Sequence, residues 1–164
     1  MTSKSVFGWG EYGAILERYA QLVEEYYIAN PDVLFIAIGR GGYIPAVVVS
    51  HKIDRRFLTL DVKSYEGQKQ YAVQISGTTI DFLYKEKVPH VVLIDDIYDT
   101  GQTFTAVSSF LKQVHRVKDI TIAPVLFKAD NVRLPFEQVL TQYKAVVYGH
   151  MLPKSAWIVL PYEK

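Results

Sequence analysis

The N-terminal part of the chain shows a helical pattern of apolar and polar positions. Between residues 12 and 27, apolar side chains recur at every third or fourth position, which predicts an amphipathic helix. Asn30-Pro31 follows, and because proline cannot continue a helix we expect the helix to end there. The apolar positions are Tyr12, Ile15, Leu16, Tyr19, Leu22, Val23, Tyr26 and Tyr27.

Beyond this helix the pattern changes to short apolar runs separated by polar or glycine-containing turns. Runs of this kind are typical of strands buried on both faces of a parallel sheet. Residues 44–53, and a segment that begins near residue 104, fit packed helices between the strands. Strands that alternate with helices predict an α/β fold, a mainly parallel sheet flanked by helices. The predicted strands are residues 33–38, 57–65, 71–76, 91–94 and 120–127.

The last part of the chain, residues 130–164, departs from this alternation. It contains short apolar pieces around three prolines, Pro135, Pro153 and Pro161. We therefore expect a single domain over residues 1–164, with residues 130–164 forming a small C-terminal hood on its core. A length of 164 residues suits one domain that needs no metal or disulfide to stabilise its core.

Composition excludes several classes of protein. With no cysteine, the chain has no disulfide, no cysteine-based zinc site and no thiol nucleophile. Its 18 Lys and Arg residues nearly balance its 17 Asp and Glu residues, so charge does not predict a nucleic-acid partner. No apolar run reaches the roughly 20 residues of a membrane span, and the first residues lack a signal-peptide core. These features predict a cytoplasmic protein with no membrane partner.

The most informative segment is residues 91–103, in which four apolar residues lead into two adjacent acids and a Thr/Gly turn. In an open α/β sheet, ligands bind at the carboxyl ends of strands, where Asp95 and Asp96 are expected. The turn would present backbone N–H groups and two hydroxyls at a helix N-terminus, which is a cradle for a phosphate group. Acids beside a phosphate cradle suit a ligand that also carries Mg²⁺ or ribose hydroxyls.

The segment also has an ordinary interpretation, with strand-end acids followed by a surface turn. For any single residue that interpretation is the better one, whereas the complete order of strand, acids, turn and helix favours a ligand site. The four histidines are scattered without the spacing of metal ligands.

Residues 91–103 resemble the signature for 5-phosphoribosyl 1-pyrophosphate (PRPP) in the type I phosphoribosyltransferases, and the match extends through all thirteen positions. The resemblance implies that fold, Mg²⁺ as cofactor, and ribose or metal contacts from Asp95 and Asp96. It assigns the 5′-phosphate to the turn, which consists of Thr100, Gly101, Gln102 and Thr103.

Position 99 separates members of this family by their base. Asp99 resembles the acid of the enzymes that act on 6-oxopurines, whereas adenine enzymes usually have Ala and orotate enzymes Thr. The resemblance makes Asp99 the catalytic base near N7 of the purine. Such proton transfer typically contributes about 10²–10⁴-fold in rate.

Two further loops resemble parts of the same enzymes. The sequence Gly39-Arg40-Gly41-Gly42 is similar to their pyrophosphate loop, with Gly39 in place of a common Ser. This similarity implies pyrophosphate contacts from Arg40 and Gly41, and a cis peptide between them. Residues 64–70 resemble the loop that closes over PRPP, although a plain hairpin loop also fits them.

Residues toward the C-terminus resemble the base-binding parts of the xanthine–guanine-type enzymes. Lys128 corresponds to a lysine that binds O6 of the purine, although Ala129 replaces a frequent Pro. By the same resemblance Trp157 stacks on the base, the backbone of Ile158 pairs with its 2-position edge, and Glu163 lies near the metal. Tyr162 stands where these enzymes usually have Trp.

Together these features predict a Mg²⁺-dependent enzyme that converts PRPP and a 6-oxopurine into a nucleoside 5′-monophosphate and pyrophosphate. Two alternatives remain, a regulatory protein that senses PRPP or a nucleotide on the same fold, and a phosphoribosyltransferase for another base. The predicted partners are the small-molecule substrates, and the family resemblance implies a homodimer or homotetramer. The sequence does not rank guanine, hypoxanthine and xanthine.

Overall fold

The secondary structure follows the alternation expected from the sequence. A computed structural model of the protein describes residues 4–64, 71–75, 77–114, 117–129, 136–153 and 155–163. The predicted closing loop, residues 64–70, therefore lies almost wholly outside the described residues. The elements are β1 (Lys4–Val6), α1 (Trp9–Ala29), β2 (Leu34–Ile38), α2 (Tyr43–Ile53), β3 (Phe57–Ser64), β4 (Tyr71–Ile75), α3 (Gly77–Lys85), β5 (His90–Tyr98), α4 (Gln102–Val114), β6 (Asp119–Lys128), α5 (Phe136–Gln142), β7 (Ala145–Val146), β8 (His150–Leu152) and β9 (Trp157–Val159).

The main sheet has the strand order β4-β3-β2-β5-β6-β7, and β8 also pairs with β6. All of these pairings are parallel except that between β3 and β4. In the middle of the sheet, Ile36 of β2 lies opposite Leu93 of β5, which in turn lies opposite Ile122 of β6. The predicted α/β class with a mainly parallel sheet is thus confirmed.

Helices cover both faces of this sheet, which explains why β5 begins as a continuous apolar run. Val92 and Ile94 pack in the cluster that contains α1 and α2 residues, whereas Val91 and Leu93 pack in the cluster that contains α4 residues. All four side chains are fully buried. A strand with a helical layer on each face has no solvent-facing side, so alternation of polar and apolar residues is lost.

Helix α1 forms where the apolar periodicity predicts it, although it begins earlier, at Trp9. It ends at Ala29, and the backbone N–H of Asn30 donates to the carbonyl of Tyr27. Its buried face includes Tyr12 and Tyr19, and its other positions are largely exposed. Neither this helix nor any other in the described part of the chain is long and apolar enough to cross a membrane.

Strand β5 differs from the prediction in one important respect. We expected the strand to end at residue 94, before the acids, but it continues through Asp95 and Asp96 to Tyr98. The extension is stabilised by parallel pairing with β6, in which Ile97 lies opposite Leu126 and Tyr98 opposite Phe127. Pairing with a neighbouring strand outweighs the low strand propensity of aspartate. The two acids are therefore held in regular strand geometry.

The part of residues 130–164 that is described contributes to two sheets. β7 and β8 pair with successive parts of β6 at the edge of the main sheet. β9 instead pairs in parallel with β1, so that Trp157 lies opposite Lys4 and Ile158 opposite Ser5. The C-terminal segment is thus tied to the N-terminal strand, and the boundaries of a hood stay a prediction.

A small polar network lies at the other end of β5, away from its acids. Nε2 of His90 is 2.9 Å from the hydroxyl of Thr121 and 3.2 Å from that of Tyr26, and these two hydroxyls are 2.7 Å apart. His90 is buried. Burial lowers the pKa of His90, the positive charge of Lys144 lowers it further, and Asp119 opposes both effects.

We expect this network to make the stability of the fold pH-dependent. Because the pKa of His90 is lower in the folded state, the unfolded histidine, with a pKa of about 6.5, binds its proton first as pH falls. His90→Gln should therefore lose less free energy of unfolding between pH 7 and pH 5 than the wild type, measured by denaturant titration. His51→Gln, at an exposed position of α2, is the matched control. An unchanged pH slope in His90→Gln would contradict the prediction.

Candidate functional site

The candidate site lies where three neighbouring strands end. β2, β5 and β6 are adjacent and parallel, so the segments that follow them meet at one edge of the sheet. The glycine loop follows β2, the two acids lie near the end of β5, and Lys128 ends β6. Sequence positions that are far apart are thereby brought together.

The two acids of β5 are adjacent in sequence and joined by a hydrogen bond. The backbone N–H of Asp96 donates to Oδ1 of Asp95 at 2.9 Å. Burial raises the pKa of both carboxyls, and the negative charge of Asp96 raises that of Asp95 further. A cation or a hydroxyl donor beside such a pair stabilises its ionised form. A divalent ion supplies the cation, and a ribose supplies the hydroxyl donors.

The glycine loop is closely packed against these acids. A Cβ atom on Gly41 would collide with the carboxylate of Asp96, and one on Gly42 would lie 2.5 Å from the carbonyl oxygen of Ile94. Gly39 has a φ of 51°, in the left-handed region that favours glycine. The expected cis peptide between Arg40 and Gly41 is wrong, because the structure contains no cis peptide bond in the residues it describes.

A cleft of about 220 Å³ opens between the loop and the acids. It brings together four of the residues predicted for the PRPP site, Gly41, Asp95, Asp96 and Thr103. Its remaining lining residues are Ile38, Gly39 and Val62. The predicted pyrophosphate, ribose and phosphate regions therefore share one cleft.

The Thr/Gly turn leads directly into α4, which begins at Gln102. Gly101 has a φ of 76°, and a Cβ at this position would collide with the ring hydroxyl of Tyr98. The backbone N–H of Gln102 donates to the hydroxyl of Thr100 at 3.4 Å. The turn thus places the N-terminus of a 13-residue helix, with its partial positive charge, beside the cleft.

Asp99 and Lys128 form an ion pair in which Nζ of Lys128 is 3.1 Å from Oδ1 of Asp99. The side chain of Lys128 is only 10% exposed, whereas that of Asp99 is 50% exposed. The resemblance predicts that both residues contact the same purine base, although they lie in different segments of the chain. Their direct contact was not predicted, and it follows from the pairing of β5 with β6 next to it.

The C-terminal segment reaches the acids through Tyr162. Its hydroxyl donates to Oδ2 of Asp96 at 3.0 Å, and burial, together with the negative charge of Asp96, raises the pKa of Tyr162 well above its usual range. Trp157 is 66% exposed and Ile158 is half-buried. In the sequence, Tyr162 is notable only because similar enzymes usually have Trp at this position. That difference was the available signal for its contact with Asp96.

Glu163 has a role within its own turn. Its Oε2 accepts the backbone N–H of Leu160 at 2.9 Å, and its backbone N–H donates to the Leu160 carbonyl. Its negative charge also raises the pKa of Asp96, so the two carboxylates lie near one another. The described residues contain no group of three acidic or histidine side chains arranged to hold a metal ion. Asp95 and Asp96 instead fit an ion such as Mg²⁺, which proteins commonly bind through one or two carboxylates and substrate phosphates.

These features define a class of protein: an α/β protein with an acid pair and a phosphate-type turn at the carboxyl edge of its sheet. The family model described as "Phosphoribosyl transferase domain" matches residues 8–145. The chain belongs to this phosphoribosyltransferase family, as the resemblance of residues 91–103 predicts.

Individual relatives agree with the family assignment. The chain is 34% identical over 133 residues to a xanthine-guanine phosphoribosyltransferase of Chromohalobacter salexigens, a match that covers 78% of the chain and 67% of that protein. It is 31% identical over 81 residues to one of Cereibacter sphaeroides, which covers 49% of the chain and 48% of that protein. The chain thus matches between about half and two thirds of the length of these relatives.

A solved structure extends the similarity to the whole fold. The purine phosphoribosyltransferase of Pyrococcus horikoshii aligns with a TM-score of 0.69 and 28% identity, covering 100% of this chain and 95% of that one. The predicted type I phosphoribosyltransferase fold is therefore confirmed.

The close approach of Gly41 to Asp96 can be tested by adding one methyl group. Because the added Cβ would collide with the carboxylate, Gly41→Ala should lower the free energy of unfolding by about 1–3 kcal/mol, as overpacking usually does. Gly13→Ala is the control, since nothing lies within 4 Å of a Cβ there and alanine favours the interior of α1 by about 0.5–1 kcal/mol. Denaturant titration measures both, and equal effects would contradict the packing argument.

Proposed function

We propose that the protein is a purine phosphoribosyltransferase that converts PRPP and a 6-oxopurine into the nucleoside 5′-monophosphate and pyrophosphate. The observation that carries this proposal is the contact between Lys128 and Asp99, three residues beyond the cleft-lining Asp96. O6 and N7 lie on the same edge of a 6-oxopurine, so the groups that bind them must be neighbours. An ammonium suits O6 as a donor, and a carboxylate suits the proton at N7.

The sugar and phosphate groups of PRPP suit the remaining parts of the cleft. Asp95 and Asp96 would accept hydrogen bonds from the ribose hydroxyls or bind Mg²⁺. Residues 100–103 would hold the 5′-phosphate with the first N–H groups of α4. Arg40 and Gly41 would bind the pyrophosphate, the first by charge and the second through its backbone N–H.

The C-terminal segment would complete the base site. Trp157 exposes an aromatic surface large enough to stack on a purine, and the adjacent backbone of Ile158 offers groups for the opposite edge of the base. Glu163 would act close to the metal through its charge, since its Oε2 already accepts a backbone N–H.

Catalysis in this proposal depends mainly on position and charge. The cleft holds the ribose between the 5′-phosphate turn and the pyrophosphate loop, which fixes C1′ in line with the purine nitrogen. When bound, Mg²⁺ would neutralise charge on the departing pyrophosphate. As the new glycosidic bond forms, Asp99 takes the proton from the purine, and Lys128 stabilises the negative charge that develops toward O6. We further expect a homodimer or homotetramer in the cytoplasm with no nucleic-acid partner.

The substrate class can be tested with a panel of bases. PRPP-dependent pyrophosphate release should occur with guanine, hypoxanthine or xanthine and be far weaker with adenine or uracil, because Lys128 donates to an oxygen and not to an amino group. Activity confined to adenine or uracil would contradict the 6-oxopurine assignment. Salt-sensitive binding of RNA or DNA without transferase activity would instead favour a regulatory protein.

The role of Asp99 predicts a specific kinetic change. Asp99→Asn should lower kcat by about 10²–10⁴-fold, because the amide cannot accept the purine proton, while the KM for PRPP stays nearly unchanged. Steady-state kinetics with the best base of the panel measures both constants. Asp32→Asn, exposed before the amino end of β2, is the control. An unchanged kcat in Asp99→Asn would remove Asp99 from the mechanism.

A further inference from the structure

Resting on the proposed function, we propose that Tyr162 is a positioning residue that holds the Asp96 carboxylate in the orientation that binds the ribose hydroxyls or metal ion of PRPP. The hydroxyl of Tyr162 lies 3.0 Å from Oδ2 of Asp96 and 3.3 Å from the hydroxyl of Tyr12. It is the chain's own departure from the usual residue of similar enzymes that creates this contact. Neither the residue pattern nor the family match assigns Tyr162 a function.

The direction of the hydrogen bonds follows from the chemistry of the groups. An ionised carboxylate can only accept, so Tyr162 must donate to Asp96. Its oxygen can then accept the proton of Tyr12, which gives the chain Tyr12 to Tyr162 to Asp96. A hydrogen bond to a carboxylate is among the stronger ones in proteins, so the bond from Tyr162 is the one that orients Asp96.

Ring packing fixes the position of the Tyr162 hydroxyl. The Tyr12 ring is fully buried and lies edge-on to the Tyr162 ring, with centroids 5.8 Å apart. On α1, the Trp9 ring is 6.2 Å from the Tyr162 ring at a tilted angle. A tyrosine held by two aromatic neighbours loses little further freedom when its hydroxyl bonds to Asp96, so the orientation is established before substrate binds.

The Asp96 carboxylate is therefore held on two sides, by the Gly41 loop and by Tyr162. The Gly41 backbone is packed so closely that a Cβ would collide with the carboxylate, and Tyr162 donates to Oδ2 from the C-terminal segment. Rotation of the carboxylate would break the bond to Tyr162 or collide with the loop. The same short segment carries Trp157 and Ile158, so one piece of chain would orient both the sugar site and the base site.

Two variants that each remove one hydroxyl of the same pair test this role. Tyr162→Phe deletes the donor to Asp96 and keeps the ring, whereas Tyr12→Phe deletes the neighbouring hydroxyl and leaves the donor to Asp96 in place. Calorimetric titration with PRPP in the presence of MgCl₂ should give a Kd about tenfold higher for Tyr162→Phe, the usual scale of one hydrogen bond to a charged group. For Tyr12→Phe the Kd should stay within about twofold of the wild type.

Kinetics separate positioning from a loss of folding. Tyr162→Phe should raise the KM for PRPP with a smaller change in kcat and an unchanged KM for the base, since the lost contact is to the sugar. Circular dichroism confirms the fold of both variants. A Kd within twofold of the wild type for Tyr162→Phe, or an equal rise in both variants, would overturn the inference while leaving the proposed function intact. A wild-type protein that does not bind PRPP would overturn the proposed function, and this inference with it.

Discussion

The site depends on two adjacent buried carboxylates on the central strand, which need hydrogen-bond donors from the surrounding elements. Charges that are removed from water are costly unless other groups bond to them. Asp95 accepts the backbone N–H of Asp96, and Asp96 accepts the hydroxyl of Tyr162. Residues from the central strand and the C-terminal segment thus converge on one pair of acids, and burial still raises the pKa of both. A cationic or hydroxyl-bearing ligand would favour the ionised form of this buried pair.

An aromatic stack supports the other half of the site. The Tyr98 ring lies 4.5 Å from that of Phe127 and 5.4 Å from that of Phe104, nearly parallel to both. Tyr98 ends β5, Phe104 lies in the first turn of α4, and Phe127 precedes Lys128. Because the stack joins these three elements, the phosphate-type turn and the Lys128–Asp99 pair are supported by the same aromatic packing.

Local patterns predicted α1, α2, α4 and strands β2 to β6, and tertiary pairing determined features that these patterns could not. Helix α1, the buried strands and the turn before α4 follow from apolar periodicity and from glycine at a positive φ. The continuation of β5 through Asp95 was not predicted, because it depends on hydrogen bonds from β6 that outweigh local propensity. The three-residue strands β1 and β9 pair with each other from opposite ends of the chain, which no short-range pattern encodes.

The candidate site likewise has one part that the sequence predicted and one part that it did not. Its contiguous part, residues 91–103, was recognisable because its chemistry lies within thirteen successive positions. The bond from Tyr162 to Asp96 joins residues 66 positions apart, and the identity of the donor depends on packing against Tyr12. The cis peptide carried over to Arg40–Gly41 was wrong because family likeness does not determine a single peptide's geometry. A family resemblance predicts which residue types form a site, whereas the contacts between them are known only from the structure.

The chain has nearly equal numbers of basic and acidic residues, and within the site these charges are separated along the sheet. The strand order β2-β5-β6 puts the acids on the middle strand, with the loop of Arg40 after one neighbour and Lys128 at the end of the other. A pyrophosphate near Arg40, a cation-binding, hydroxyl-bearing sugar at the acids and an acceptor oxygen of a base near Lys128 would match this sequence of positive, negative and positive groups. Lys128 is nearly buried and pairs with Asp99, so its charge is compensated before any ligand arrives. A purine that takes over both partners at once would replace that compensation, whereas one that engaged only Asp99 would leave the nearly buried Lys128 without a partner for its charge. Discrimination among bases would therefore follow from the cost of separating this pair.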